Sequence, residues 1–296
     1  NSFKPVDLIV GPSGFGLPLT HISRVGSREL SLLTLIKPMN AESRPQLGLR
    51  NVISKLKASG LNIYIIPGVK HLSTVPVYRK VNKVDMGTAD KVCCAALALH
   101  SQTQHYNIDF HSTSFILVEI GFGYNAFIAV ENGKIVDGIG GTLSWMGFLS
   151  HGSLDGELAY LLGEMSKDTL TTGGAKFVAG TETQSLEEFI EKIRQNKQYE
   201  LAWEAFMEGI EKNVSSLLVS VRKPREIIVS GRLNSIPQAY DEISKRLSEY
   251  GKVRKLLGFT GKAKEAAQGG ALIADGLVGG SFRGLVECLG IKEAGG

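Results

Sequence analysis

The chain has no apolar run approaching the roughly 18 to 20 residues that a membrane-spanning helix needs, so a membrane partner is not expected. Nor does it have a block of like charge. Its 33 Lys and Arg stand against 29 Asp and Glu, and the excess of +4 is spread along the sequence, so charge gives no argument for nucleic acid. Only three cysteines occur; Cys93 and Cys94 are adjacent and Cys288 is far away, which argues against a disulfide framework and against zinc-ligand spacing. There is no low-complexity tract, no repeat beyond a loose echo between the two halves, and no secretory signal pattern. A reducing, cytoplasmic home is expected. The sequence starts at Asn1 and reaches the strand-like VDLIV almost at once, as expected of a segment that begins inside a longer parent protein.

At 296 residues of ordinary globular composition, two domains are expected rather than one core. Residues 6–10 read as a buried strand running into GPSGFGLPL, and such a loop after a strand is where α/β proteins place ligand contacts, which makes Ser13 and Gly14 site candidates beside the plain structural reading. Residues 30–36 read as another strand, 47–58 as a helix stopped by Gly60, and 62–66 as a strand ending in Pro67-Gly68. This alternation indicates an α/β domain. The polar connection that follows concentrates His71, Arg79, Lys80, Lys83, Asp85 and Asp90 between apolar elements, either as a reactive cluster or as a solvated loop capping a helix. Residues 88–100 form a helix with Cys94, Ala95 and Ala98 on a face of small residues.

The stretch 115–142, FILVEIGFGYNAFIAVENGKIVDGIGGT, parses as three short strands. The first is continuously apolar, as a strand covered on both faces requires. Glu119 precedes Gly121 and Gly123; Asn132-Gly133 is a tight-hairpin signal; the third strand runs into Gly140-Gly141-Thr142. Glycines let backbone N–H groups approach an oxyanion, though ordinary hairpins also carry them. Beyond it, 153–165 reads as a helix with Asp155 and Glu157 in its first turn, Ser185 to Glu188 as a capping box, and 199–221 as a long helix. Residues 226–230 form a strand delivering into Gly231-Arg232, with Pro237 in the first turn of the next helix and 252–257 as a last strand. AAQGGALIADGL is a second helix with a small-residue face, carrying Gly269 and Gly270.

Together these pieces resemble the superfamily of actin, Hsp70 and sugar kinases, and resemble most closely an uncharacterised archaeal family of predicted butyrate kinases. The 115–142 stretch looks like the second phosphate motif, IIVSGR like the adenosine motif, and TADKVCCAALALH and AAQGGALIADGL like the two connecting helices; PSGFGLPLTHIS and KVDMGTADK look specific to the family itself. The resemblance implies an α/β protein of two ribonuclease-H-like, actin-like ATPase domains, residues 1–110 and 111–296, around a cleft for ATP and Mg²⁺. It implies phosphate or nucleotide contacts from Gly121, Gly123, Asn125, Gly140, Gly141, Thr142, Gly231, Arg232, Gly269 and Gly270. Glu119 or Asp137 would reach the metal through water. Asp85 would be the base for a hydroxyl acceptor, Arg79 or Lys83 would steady the transferred group, and Ser13, Gly14 and His71 would border the acceptor. A carboxylate acceptor would need no base. The superfamily usually opens with a first phosphate hairpin containing Asp-x-Gly-Thr; no such segment precedes VDLIV, and Asp85-Met86-Gly87-Thr88 follows a lysine-rich stretch instead.

The function this implies is an ATP-dependent small-molecule kinase acting on a carboxylate or a hydroxyl. The alternatives are a non-transferring ATP switch of the same fold and a degenerate structural homologue. The expected partners are a small-molecule acceptor and a second copy of the chain.

Overall fold

The computed structural model describes residues 6–11, 14–36, 47–180 and 185–295. In chain order its strands and α-helices are β1 (Ile9–Val10), β2 (Thr20–His21), α1 (Ser27–Thr34), α2 (Leu47–Ala58), β3 (Ile63–Ile65), α3 (Val77–Lys80), α4 (Ala89–Tyr106), β4 (Ser114–Ile120), β5 (Asn125–Glu131), β6 (Lys134–Ile139), α5 (Gly156–Leu162), α6 (Ala175–Val178), α7 (Leu186–Lys192), α8 (Lys197–Leu217), β7 (Glu226–Ser230), α9 (Pro237–Leu247), β8 (Val253–Lys255), α10 (Glu265–Leu277) and α11 (Arg283–Leu289). The fold is mixed α/β. No helix among the described residues is long and apolar enough to cross a membrane.

The chain divides into two compact units, Asn1–Thr113 with Asn132–Val136 and Leu257–Gly296, and Ser114–Glu131 with Asp137–Leu256. The first stretch of the first unit ends at Thr113. The segment from Leu257 onward, however, groups with the first unit instead of the second. Its physical reason is α10, which packs on α4 so closely that a Cβ on Gly269 would stand 1.7 Å from the Cys93 carbonyl oxygen.

The first unit carries a three-stranded sheet in the order β1-β3-β2, with β1 parallel and β2 antiparallel to β3. Ile63 and Ile65 of β3 are fully buried and pack with Leu17, Ile22, Val25, Leu33 and Ile53. Leu33 belongs to α1, where the sequence reads as a strand. The run SRELSLLT is helical because the Glu29 carboxylate accepts the Gly26 N–H at 2.9 Å, fixing the first turn, and Leu35 ends it at φ 49°.

The second unit is built on a five-stranded sheet in the order β6-β5-β4-β7-β8. β4 pairs antiparallel with β5 from Ser114↔Glu131 to Ile120↔Asn125, and parallel with β7 from Phe115↔Glu226 to Glu119↔Ser230. Residues 115–118 and 125–130 are buried throughout, as the apolar runs require. Asn132 and Gly133 both take positive φ, 52° and 74°, in the expected hairpin turn. Asp155 caps α5 by accepting the N–H groups of Glu157 and Leu158, and Gly163 stops that helix at φ 65°, so it is shorter than its sequence suggests. Ser185 caps α7 through the Glu188 N–H at 3.1 Å. Between β7 and β8, fully buried Glu226 receives a two-pronged pair from Arg254, at 2.8 Å on each oxygen.

Candidate functional site

In the second unit, one end of the sheet gathers most of the residues singled out above. Parallel pairing of β4 with β7 sets Glu119 level with Ser230, and the β4–β5 hairpin sets Asn125 opposite Ile120. Between them lies the turn 121–124, closed by the Gly121 N–H donating to the Tyr124 carbonyl at 3.0 Å. The two glycines differ in kind. A Cβ on Gly121 would stand 2.6 Å from the Tyr124 oxygen, whereas a Cβ on Gly123 would meet nothing within 4 Å. Gly121 therefore serves the hairpin, while Gly123 opens onto free space.

The turn is held from below. Gly123 accepts the N–H groups of Leu149 and Ser150 at 3.3 and 3.0 Å, and Tyr124 packs against Gly141 so tightly that a Cβ there would be 2.6 Å from the ring. Gly140 accepts the N–H groups of Leu143 and Ser144, folding the segment with Thr142 back under the turn. With the Gly123 carbonyl fixed in this way, the N–H groups of Phe122 and Gly123 have no partner among the described residues.

Three buried polar atoms surround this turn and the end of β7 without a partner among the described residues: Asn125 Oδ1, Ser230 Oγ and Asn234 Oδ1. Their residues are at most 3% exposed. Such groups are costly to bury unless something satisfies them. Gly231 follows Ser230 at φ 91°, where a Cβ would stand 2.5 Å from the Ile120 oxygen, so only glycine lets the chain leave β7 this close to β4. Arg232 then lies over the Phe122 ring, its guanidinium carbon 4.9 Å from the centroid, and adds a positive charge beside the turn. Asp137 lies on β6, where it accepts the Ser220 hydroxyl at 2.6 Å and the Gly138 N–H at 2.8 Å.

The remaining candidates belong to the first unit, except Ser13, which lies outside the described residues. Gly14 sits at φ 42° against the Leu33 carbonyl, and its own carbonyl accepts the Ala89 N–H at the start of α4. His71, Arg79, Lys83 and Asp85 lie on the connection from β3 to α4. Arg79 donates to the Val136 carbonyl at 2.8 Å, and Asp85 accepts the Gly87 N–H at 3.3 Å. Burial holds the His71 pKa below the ordinary value, against a smaller upward pull from the Gly68 backbone. Gly269 has a packing reason in the α4 contact. Gly270 lines a cavity of about 640 Å³ with β1, Leu49, Cys93 and the alanines of α10. Burial, helped by Asp90, pushes the Cys93 thiol up to about 12, so it is no nucleophile at neutral pH.

Ser230, Asn234 and His151 were not singled out by the sequence reading. Both ring nitrogens of His151, on the loop that continues from Ser150, are buried without a partner among the described residues. Ser230 had a signal: it ends a buried strand immediately before a glycine. His151 had none, since only the fold carries residue 151 to its place.

A family profile described as "protein of unknown function (DUF1464)" matches residues 2–296. The chain belongs to the DUF1464 family. No curated protein matches it. Among solved structures, the chain is similar to an acetate kinase from Entamoeba histolytica, with a TM-score of 0.62 at 15% identity over 82% of this chain and 68% of that one. It is similar to an acetate kinase from Porphyromonas gingivalis, with a TM-score of 0.61 at 14% identity over 89% and 75%. It is also similar to a propionate kinase from Francisella tularensis subsp. tularensis, with a TM-score of 0.63 at 14% identity over 89% and 77%. At these identities the shared property is the fold, and this DUF1464 chain has the α/β fold of those kinases.

Proposed function

We propose that the chain binds ATP with Mg²⁺ at the β4–β5–β7 end of the second unit and transfers phosphate to a small acceptor, with a carboxylate as the first class to test. The observation that carries this reading is the open face of Gly123, with two N–H groups that have no partner among the described residues beside the buried Asn125 and Ser230 oxygens. A polyphosphate suits the N–H groups, and water or a ribose hydroxyl suits the two oxygens. The acetate and propionate kinases among the structural neighbours support the same reading and make a carboxylate the first acceptor class to test.

On this reading the turn N–H groups and Arg232 hold phosphate oxygens, and Gly231 lets the adenosine side approach the backbone. Glu119 is the carboxylate for the metal at the same sheet end, while Asp137 reaches it only by exchanging its bonds to Ser220 and Gly138. Bound Mg²⁺–ATP supplies the transferable phosphoryl group and its charge neutralisation. Asp85 and Arg79 are proposed for the acceptor, the first only where a hydroxyl must lose a proton.

The test is titration with Mg²⁺–ATP by calorimetry, with GTP and Mg²⁺ alone as controls, followed by a turnover panel of short carboxylates and sugars. Saturable ATP binding with turnover of one acceptor supports the proposal, and turnover should fall in Arg79→Ala. Binding without turnover would replace the kinase with an ATP switch. No binding would refute both.

A further inference from the structure

The backbone around His151 is clamped on both sides. Ser150 donates its N–H to the Gly123 carbonyl at 3.0 Å and pairs with Gly173 in an isolated antiparallel bridge. The Gly152 N–H donates to the Ser150 hydroxyl at 3.1 Å, and Gly152 takes φ 74°, where a Cβ would strike the Ser144 oxygen. Gly173, at φ 81°, would carry a Cβ 3.0 Å from the His151 Cβ. N–H groups at the start of α6 close the segment from the other side: Gly174 donates to the Leu149 carbonyl at 2.9 Å, and Ala175 and Lys176 to those of Gly147 and Phe148 at 3.0 Å. Residue 151 is thus fixed on a loop tied to the glycine turn.

The imidazole has no such tie. Both ring nitrogens are buried, and neither has a partner among the described residues. A ring that only filled space could be phenylalanine, which strands no polar atom. No group of three His, Cys, Asp or Glu side chains among the described residues could hold a metal ion, so His151 is not one ligand of such a cluster. The chemistry left to it is donation from a ring nitrogen to an oxygen that arrives from outside the chain.

We propose that His151 binds an oxyanion at this end of the sheet, donating to an oxygen of the bound phosphate chain. The inference rests on the phosphate reading of the turn 121–124 and adds to it a side chain from a second loop. The other ring nitrogen is left to water or to a hydroxyl of the ligand. Because both nitrogens are enclosed before ligand binds, the ring or its cover must shift to expose one.

His151→Phe keeps a ring and removes both nitrogens. Its melting temperature without ligand should stay level or rise, because no buried polar atom is stranded. Its affinity for Mg²⁺–ATP, by calorimetry, should fall about tenfold or more, and His151→Gln, which retains a donor, should recover part of the loss. In the unaltered protein labelled with ¹⁵N-histidine, inorganic pyrophosphate should shift the ring signals that His151→Gln lacks. Should His151→Phe melt too low to titrate, this pyrophosphate response decides the matter. If ATP binds and Gly123→Ala weakens it, while His151→Phe binds as the unaltered protein does, His151 is overturned and the turn keeps its role. If ATP does not bind and pyrophosphate leaves the ring signals unmoved, both readings fall. A pyrophosphate shift without ATP binding would uphold His151 as an oxyanion residue and remove the nucleotide.

Discussion

Replacing Gly123 with alanine separates the binding role of the turn from its structural role. Gly123 does not take positive φ, and a Cβ there meets nothing within 4 Å, so the free protein should accept the substitution. Relative to glycine, alanine restricts the unfolded chain and adds about 0.4–1 kcal/mol of stability where the native backbone suits it. The melting temperature should therefore stay level or rise slightly. The same methyl group would occupy the space through which a phosphate reaches the N–H groups of Phe122 and Gly123. At an ATP concentration about a hundred times the dissociation constant, the unaltered protein gains roughly 2.7 kcal/mol. A tenfold loss of affinity at that concentration would leave roughly 1.4 kcal/mol, a difference of a few degrees in a thermal-shift titration. Gly121→Ala is the contrast: its Cβ would meet the Tyr124 oxygen at 2.6 Å, so it should destabilise the protein before any ligand is added. A Gly123→Ala protein with normal stability and an undiminished ATP shift would refute the assignment of the turn to phosphate.

Three further outcomes follow from the packing and the charges. Glu226→Ala should cost about 3–5 kcal/mol in urea unfolding, because it strands Arg254 at a fully buried partner site; a loss below about 1 kcal/mol would show that the pair is not worth its burial. Gly269→Ala should destabilise strongly, with its Cβ driven onto the Cys93 backbone, while Gly270→Ala, whose nearest neighbours lie at 3.6 and 3.7 Å, should be mild; equal effects would contradict the close α4–α10 crossing. Burial lowers the pKa values of His71 and His100, the latter set between Phe259 and Phe282, so the folded state prefers both rings neutral. Their contribution is whole above the ordinary value of 6.5 and is lost as pH falls below it toward the lowered folded values, so the urea midpoint should drop from pH 7.5 to 5.5 and drop less in the His71→Gln, His100→Gln double variant.

The elements legible in the sequence are those whose signals are local. The apolar run of β4, the Asn132-Gly133 turn, the Ser185 cap and Pro237 at the start of α9 each carry their reason within a few residues. Residues 30–36 misled because their leucines look strand-like in isolation, while the deciding Glu29–Gly26 bond lies just before them. The glycine turn at 121–124 was legible as a turn, but not the division of labour within it, which depends on what stands opposite each Cα. Ser230 and Asn125 became a pair of unsatisfied oxygens only through the pairing of β4 with β7 and β5, and strand order is not written in any one segment. The return of α10 to α4 is equally non-local: the stripe of small residues shows that some helix approaches, not which one.

That return has a consequence for how the protein is made. The second unit is an insertion: most of it, up to Leu256, is synthesised between the two parts of the first that hold α4 and α10. It can close while the first unit still lacks α10, the helix that packs on α4 at Cys93. At about 5–20 residues per second, the roughly 170 residues from the end of α4 to the end of α10 take on the order of 10–30 s to emerge. For that interval the face of α4 around Cys93 waits without its partner helix on a nascent chain, and the period favours capture by a chaperone. Cutting the gene after Thr113 or after Leu256 would make the wait permanent.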